Sequence, residues 1–108
     1  MNNSPSHHNP EISATELKQR LQNAENLFLL DVREPVEYHT YNIGGINIPL
    51  SKLAESLSNI SQHQGDEIVL VCQAGLRSKT AQSILLENGY TQARNLTGGL
   101  LALRKLQQ

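Results

Sequence analysis

Cysteine and aromatic residues are scarce in this chain of 108 residues, which has one cysteine, no tryptophan, one phenylalanine and three tyrosines. A single cysteine cannot form an internal disulfide. Because there is no second cysteine and no cluster of histidines, the sequence gives no reason to expect a structural zinc site. The scarcity of aromatics predicts a core of leucine, isoleucine, valine and alanine, as in small α/β proteins.

An excess of one charge and long hydrophobic runs are also lacking. The formal net charge is −1, so composition gives no reason to expect a nucleic-acid partner. No apolar run approaches the length that a membrane-spanning helix needs, and none indicates membrane association. The polar N-terminus does not have the pattern of a signal peptide. Together with the unpaired cysteine, these features favour a cytoplasmic protein.

The length suits one domain with a modest core. Residues 1–10 are mostly Asn, Ser, Pro and His without periodicity, which predicts a disordered leader or a linker. Residues 11–108 are therefore the predicted domain.

Strand-like and helix-like patterns alternate along that domain. Leu27–Val32 and Ile68–Val71 are continuous apolar runs, which predict strands covered on both faces. Shorter strands are expected near Ile12, at Ile46–Ile48 and at Ala93–Leu96. Helices are expected from a capping box at Ser13–Glu16 to Asn23, at Glu34–Tyr38, after a cap at Ser51, from Ser78 to Gly89, and after Gly98–Gly99. Ser58–Asp66 has the composition of a polar loop. The alternation predicts an α/β fold with a central parallel sheet of four or five strands and helices on both faces.

Cys72 stands at the point where the strand Ile68–Val71 ends and a polar loop leads into a helix. In open α/β sheets, chemistry gathers at the carboxyl ends of strands. The helix N-terminus offers free N–H groups and a positive dipole end, and Arg77 adds a full positive charge. Such surroundings favour the thiolate, which is the reactive form of cysteine. The alternative is an inert, buried cysteine, which the glycine-containing loop and the arginine argue against.

Several short motifs are similar to those of one known family. They are Asp31-Val-Arg-Glu34, Glu37-Tyr38, Ile43-Gly-Gly45 with Ile48-Pro49, Cys72-Gln-Ala-Gly-Leu-Arg-Ser78, and Asn95-Leu-Thr-Gly-Gly99. In this order they closely resemble a single-domain rhodanese over residues 12–106. The form Asn42-Ile-Gly-Gly45 also resembles rhodanese domains fused behind E1-like adenylyltransferases, which pass sulfur to small ubiquitin-like carriers.

The resemblance implies a rhodanese-like sulfurtransferase that needs no metal and no organic cofactor. Cys72 would be the nucleophile and would carry sulfane sulfur as a persulfide from a donor such as thiosulfate to a thiophilic or protein acceptor. A cysteine desulfurase and a ubiquitin-like sulfur carrier are the kinds of protein partner that it implies. A loop that curls around one sulfur atom would supply N–H donors from Gln73, Ala74, Gly75, Leu76 and Arg77.

Four side chains near this loop have two interpretations each. Arg77 would either hold an anionic donor or help to shape the loop. Ser78 would either cap the helix or offer its hydroxyl. Asp31 and Arg33 would form either a structural pair near the site or a solvated surface pair.

Loop length separates two chemistries that this fold supports. The loop from Cys72 to Arg77 has six residues. The related cell-cycle phosphatases resemble it but have a loop that is one residue longer, which suits tetrahedral phosphate. The shorter loop favours a sulfurtransferase over a phosphatase or arsenate reductase. A further alternative is a delivery module that carries sulfur on Cys72 only to a docked partner protein. The physiological donor, the acceptor and the oligomeric state stay open.

Overall fold

The computed structural model describes residues 9–107, so the first eight residues of the predicted leader and Gln108 lie outside the described residues. Its strands form one sheet in the order β1-β5-β4-β2-β3, and every neighbouring pair is parallel. The strands are β1 (Glu11–Ile12), β2 (Phe28–Asp31), β3 (Ile46–Asn47), β4 (Ile68–Val71) and β5 (Ala93–Leu96). The predicted α/β fold with a parallel sheet is confirmed.

Helices cover both faces of the sheet, as predicted. They are α1 (Ala14–Gln22), α2 (Pro35–Thr40), α3 (Leu50–Ser56), a 3-10 helix (Leu57–His63), α4 (Leu76–Glu87) and α5 (Gly99–Lys105). The core divides into two apolar clusters because successive side chains of a strand point to opposite faces. In β4, Leu70 packs with α3 and α4, whereas Val69 packs with α1 and α5. The continuous apolar run of β4 is explained by this double coverage.

Two local predictions are wrong. Ser51 does not cap α3, because the helix already begins at Leu50 and Pro49 occupies the N-cap position. The segment predicted as a polar loop contains the 3-10 helix, whose Ile60 is buried in the core. The hydroxyl of Tyr90 donates to the carbonyl of Leu57 at 2.8 Å, which holds the 3-10 helix against the segment that follows α4.

The start of α1 has half of the predicted capping box. Ser13 is the N-cap, and its hydroxyl accepts a hydrogen bond from the N–H of Glu16 at 3.0 Å. The carboxylate of Glu16 instead accepts from Arg94 at 3.0 Å. Arg94 also bonds Glu67 at 2.9 Å, and Glu67 in turn binds Arg20 at 2.6 Å. This ion-pair network lowers the pKa of Glu67, chiefly through the hydrogen bond from Arg20.

The packed part of the chain includes the last two residues of the predicted leader. The carbonyl of Asn9 accepts from Arg94 at 2.8 Å, and the carbonyl of Pro10 accepts from the N–H of Asn95 at 2.8 Å. Within residues 9–107, no helix is both long enough and apolar enough to cross a membrane.

Candidate functional site

Cys72 follows directly after the last residue of β4 and lies four residues before the start of α4. It is buried, with 1% of its surface exposed. Its sulfur accepts hydrogen bonds from the N–H of Gly75 at 3.1 Å and from the N–H of Ser78 at 3.3 Å. Two backbone donors that converge on one buried sulfur stabilise negative charge there.

The loop can curl around the sulfur because of Gly75. This residue is the N-cap of α4 and has a φ of 92°, in the left-handed region that glycine adopts without strain. A Cβ at this position would lie 3.1 Å from the N atom of Gly98 and 3.3 Å from the carbonyl oxygen of Leu96. With Gly75 as its N-cap, α4 begins at Leu76, two residues earlier than the sequence pattern predicted, and Ser78 is not its cap.

The N-terminus of α5 holds the start of the loop from the other side. The N–H of Leu100 donates to the carbonyl of Cys72 at 2.9 Å, and the N–H of Leu101 donates to the carbonyl of Gln73 at 3.0 Å. A Cβ on Gly99 would lie 2.5 Å from both carbonyl oxygens. The close approach of α5 to the loop thus depends on glycine at this position.

The side chain of Ser78 faces the sulfur. Its Oγ lies 3.2 Å from the Sγ of Cys72, and it also donates a hydrogen bond to the Oδ1 of Asn95 in β5. Of its two predicted roles, the offered hydroxyl is the one that this geometry supports. Asn95 was not predicted as a site residue, although an amide inside the buried strand Ala93–Leu96 is a signal for a buried polar contact.

Arg77 pairs with Glu37 of α2. Its two terminal nitrogens donate to the two carboxylate oxygens at 2.7 and 3.0 Å. The guanidinium holds the pKa of Glu37 at about 2, well below its usual range, and its own pKa is raised in return. Glu37 also accepts from the N–H of Glu34 at the start of α2. The ion pair therefore joins α2 to the loop, which agrees with the loop-shaping interpretation of Arg77.

Asp31 and Arg33 form a buried pair at the end of β2. Their side chains are 1% and 4% exposed, and the closest contact between them is 2.8 Å. Arg33 also donates to the carbonyl of Tyr41 at 2.6 Å. The interpretation as a solvated surface pair is wrong, because both side chains are almost fully buried. The pair connects the end of β2 to the segment after α2.

A groove of about 400 Å³ lies beside the loop. It is lined by Arg33, Val36, Glu37, Thr40, Tyr41, Gln73 and Arg104. Val36 and Leu76 are 72% and 77% exposed, unusual values for large apolar side chains. The guanidinium of Arg104 lies over the Tyr41 ring at 4.4 Å. Within residues 9–107, no cluster of three or more histidine, cysteine or acidic side chains is placed to hold a metal ion.

Comparison with known proteins identifies the family. The family model described as the rhodanese-like domain matches residues 13–106. The chain belongs to the rhodanese-like family. The resemblance inferred from its motifs is therefore confirmed, and with it membership of a family of sulfurtransferases and sulfur carriers.

Relatives of this rhodanese-like chain differ in length. A sulfurtransferase of Allochromatium vinosum is 32% identical over 93 residues, which cover 85% of each chain. An adenylyltransferase and sulfurtransferase of Zea mays is 35% identical over 100 residues, which cover 84% of this chain but 21% of that protein. This match confirms the predicted similarity to rhodanese domains that are fused to adenylyltransferases. The chain spans about half, 49%, of the length of a relative from Bacillus subtilis.

A solved structure supports the same assignment. The human single-domain sulfurtransferase superimposes with a TM-score of 0.78 at 30% sequence identity, covering 90% of this chain and 96% of that one. The rhodanese-like fold of the chain is thus shown by sequence and by structure.

Proposed function

We propose that this rhodanese-like domain is a sulfurtransferase in which Cys72 carries sulfane sulfur as a persulfide. The observation that carries the proposal is the convergence of the N–H groups of Gly75 and Ser78 on the buried cysteine sulfur, at 3.1 and 3.3 Å. Donors fixed in advance by the fold stabilise a sulfur anion without reorganisation. The family of the chain supports the same chemistry.

The reaction has two displacement steps. The thiolate of Cys72 attacks the outer sulfur of a donor such as thiosulfate; a new S–S bond forms, and sulfite leaves with the electrons of the old one. The resulting persulfide is then attacked at its outer sulfur by a thiophilic nucleophile, for example cyanide. The S–S bond breaks, thiocyanate leaves, and the thiolate is regenerated. Both steps use only the anion-stabilising loop and require no metal or organic cofactor.

The other loop residues have supporting roles in this proposal. Gln73, Ala74 and Leu76 extend the ring of backbone N–H groups toward the outer sulfur. Arg77 contributes positive charge from a fixed position, because Glu37 holds both of its terminal nitrogens. This pairing also leaves Arg77 without the open fork that a phosphatase needs for a phosphate dianion. Asp31 and Arg33 stabilise the adjoining backbone.

Intact-mass spectrometry after incubation with thiosulfate tests the proposal. We expect the reduced protein to gain the mass of one sulfur atom, to lose it again with cyanide, and to show no gain as Cys72→Ser. A Glu37→Gln variant keeps the thiol and should still gain sulfur. If neither thiosulfate nor a cysteine desulfurase produces the gain in the folded wild-type protein, the proposal is wrong.

A second candidate function is sulfur delivery to a docked protein without appreciable turnover on free small molecules. The exposure of Leu76 and Val36, 77% and 72%, favours it because both apolar side chains stand near the loop. It predicts that the persulfide forms but that cyanide removes it slowly. Fast, catalytic production of thiocyanate would instead favour the small-molecule sulfurtransferase. In either case the physiological partner would be a sulfur donor or carrier in a reducing, cytoplasmic setting.

A further inference from the structure

A chain of hydrogen bonds leads from Cys72 to the edge of the sheet. The Sγ of Cys72 lies 3.2 Å from the Oγ of Ser78, which donates to the Oδ1 of Asn95. The Nδ2 of Asn95 donates to the Oε1 of Glu11 at 3.1 Å, and the hydroxyl of Thr97 donates to the same oxygen at 2.7 Å. These hydrogen bonds therefore join Cys72, the candidate nucleophile at the end of β4, to a carboxylate on β1 through side chains of α4 and β5.

The carboxylate fixes the direction of every bond in this chain. An ionised carboxylate only accepts hydrogen bonds, so Asn95 must turn its NH2 group toward Glu11 and its carbonyl oxygen toward Ser78. That carbonyl oxygen also only accepts, so it takes the single hydroxyl hydrogen of Ser78. Ser78 is then left with lone pairs facing Cys72. With the hydroxyl oriented in this way, the thiol form of Cys72 can donate to the Oγ of Ser78, whereas the thiolate form receives no hydrogen bond from it.

We propose that Asn95 and Glu11 are positioning residues that orient the hydroxyl of Ser78 and thereby restrain ionisation of Cys72. Two backbone N–H groups favour the thiolate, while the oriented hydroxyl favours the thiol. When the thiol loses its proton to solvent, Ser78 must turn its hydrogen toward the sulfur and give up Asn95. The carbonyl of Asn95 then faces the oxygen of Ser78 without a hydrogen between them, and the bond to Glu11 opposes a flip of the amide.

The side chains are buried deeply enough for such control. Ser78, Asn95 and Cys72 are 0%, 3% and 1% exposed, so water cannot readily replace a lost partner. The backbone N–H of Asn95 is fixed by the carbonyl of Pro10 at 2.8 Å. Glu11 lies at the surface, where its side chain is 35% exposed and also pairs with Lys79 at 3.4 Å. The surface carboxylate thus acts on the buried sulfur through two buried side chains.

One variant of this hydrogen-bond chain, Asn95→Ala, alters it without removing any charged group near Cys72. Arg77 interacts electrostatically with both Cys72 and Asp31. The charged groups on the surrounding elements are Glu11 on β1, Asp31 and Arg33 at the end of β2, Glu37 on α2, Arg77 and Lys79 on α4, and Arg104 on α5. Asn95→Ala removes none of them, so it tests the orientation of Ser78 alone.

The test is the pH dependence of Cys72 alkylation by iodoacetamide, which reports the thiolate fraction without any sulfur transfer. For Asn95→Ala we expect the midpoint of the rate profile to fall by about one pH unit, because the hydroxyl of Ser78 is then free to donate to the thiolate. At pH values below the midpoint this shift corresponds to about a tenfold gain in the thiolate fraction. Glu11→Gln should shift it in the same direction, because glutamine can donate and so permits the amide to flip. Thr97→Val removes a donor to Glu11 without changing the direction of the hydrogen bonds between Ser78, Asn95 and Glu11. It should therefore leave the midpoint unchanged.

A double-mutant cycle separates orientation from simple charge. In a Ser78→Ala background, neither Asn95→Ala nor Glu11→Gln should shift the midpoint further. A shift of the alkylation midpoint that persists in the Ser78→Ala background overturns the proposal. So does the absence of a shift in both Asn95→Ala and Glu11→Gln when these variants are folded. Glu11→Gln keeps the test available if Asn95→Ala fails to fold, since Glu11 is near the surface.

This inference rests on the proposed function of Cys72 as a nucleophile, yet the two can fail separately. Persulfide formation without the predicted shift in alkylation would refute the orienting role alone. The predicted shift without persulfide formation from any donor would refute sulfur transfer alone.

Discussion

Gly99→Ala is the substitution whose effect follows most directly from the structure. A Cβ at this position would lie 2.5 Å from the carbonyl oxygens of Cys72 and Gln73, closer than real contacts allow. Because both neighbours are backbone, α5 must move away. The bonds from Leu100 and Leu101 to these carbonyls, 2.9 and 3.0 Å long, would then be lost or stretched.

The expected loss of stability is large for a protein of this size. Two backbone hydrogen bonds contribute about 1 kcal/mol each. The φ of Gly99 is 62°, where an alanine costs about 1–2 kcal/mol. Together the free energy of unfolding should fall by about 3–4 kcal/mol, a considerable part of the roughly 5–15 kcal/mol typical of folded domains.

Two other glycines provide matched controls. Gly44 has a φ of 99° but nothing within 4 Å of its would-be Cβ, so Gly44→Ala measures backbone strain alone. Gly65 has no positive φ and also has open space around it, so Gly65→Ala should be close to neutral or slightly stabilising.

Urea unfolding followed by far-UV circular dichroism is the suitable assay, since the chain has no tryptophan for fluorescence. We expect Gly99→Ala to lose more stability than Gly44→Ala, because it alone also disrupts two hydrogen bonds, which contribute about 1 kcal/mol each. Alkylation of Cys72 should also change in Gly99→Ala and in neither control. Equal losses for Gly99→Ala and Gly44→Ala would refute the argument that α5 clamps the loop.

Three further predictions concern single side chains. Asp31→Asn removes the charge that Arg33 is buried against, so we expect about 3–5 kcal/mol less stability in urea unfolding; a loss below about 1 kcal/mol would mean that the pair is not desolvated. The pKa of Glu37 is lowered from 4.5 to about 2, so its ion pair with Arg77 stabilises the fold above pH 4.5, and this contribution is lost as the pH falls toward 2. Unfolding measured through this window should therefore show a steeper loss for the wild type than for Glu37→Gln, and parallel curves would contradict the assignment. Tyr90→Phe leaves a carbonyl of the 3-10 helix without its donor and should cost about 1–2 kcal/mol in the same assay, whereas an unchanged midpoint would show that water replaces the hydroxyl.

Features of the fold that depend on local composition were predictable from the sequence. The apolar runs that contain β2 and β4 have the pattern of doubly covered strands, and both are buried in the sheet. The 3-10 helix was missed because its sequence is polar, and its one buried side chain, Ile60, has no local partner to give a pattern. The start of α4 was placed two residues late because Gly75 caps it through its backbone, without a side-chain signal.

Contacts between distant parts of the chain were harder to predict. Arg20 and Glu67 are separated by 47 residues, and no local pattern links them. The position of Cys72 at the end of a strand could be predicted, since it depends on the neighbouring residues alone. The contact between Ser78 and Asn95 could not, because it depends on which strand lies beside β4 in the sheet.

The order of the strands has a consequence for how the protein is made. Of the described strands, β1 has β5 as its one neighbour, and α5, which follows β5, supplies the N–H groups that hold the carbonyls of Cys72 and Gln73. A ribosome that has released the chain only as far as α4 has therefore made Cys72 and the N–H groups of Gly75 and Ser78, but not the helix that holds the start of the loop. The thiol is therefore synthesised before the helix that completes its surroundings. Nascent chains pass through a stage in which Cys72 lacks its finished surroundings, because the carbonyls of Cys72 and Gln73 gain these two hydrogen bonds only when α5 docks.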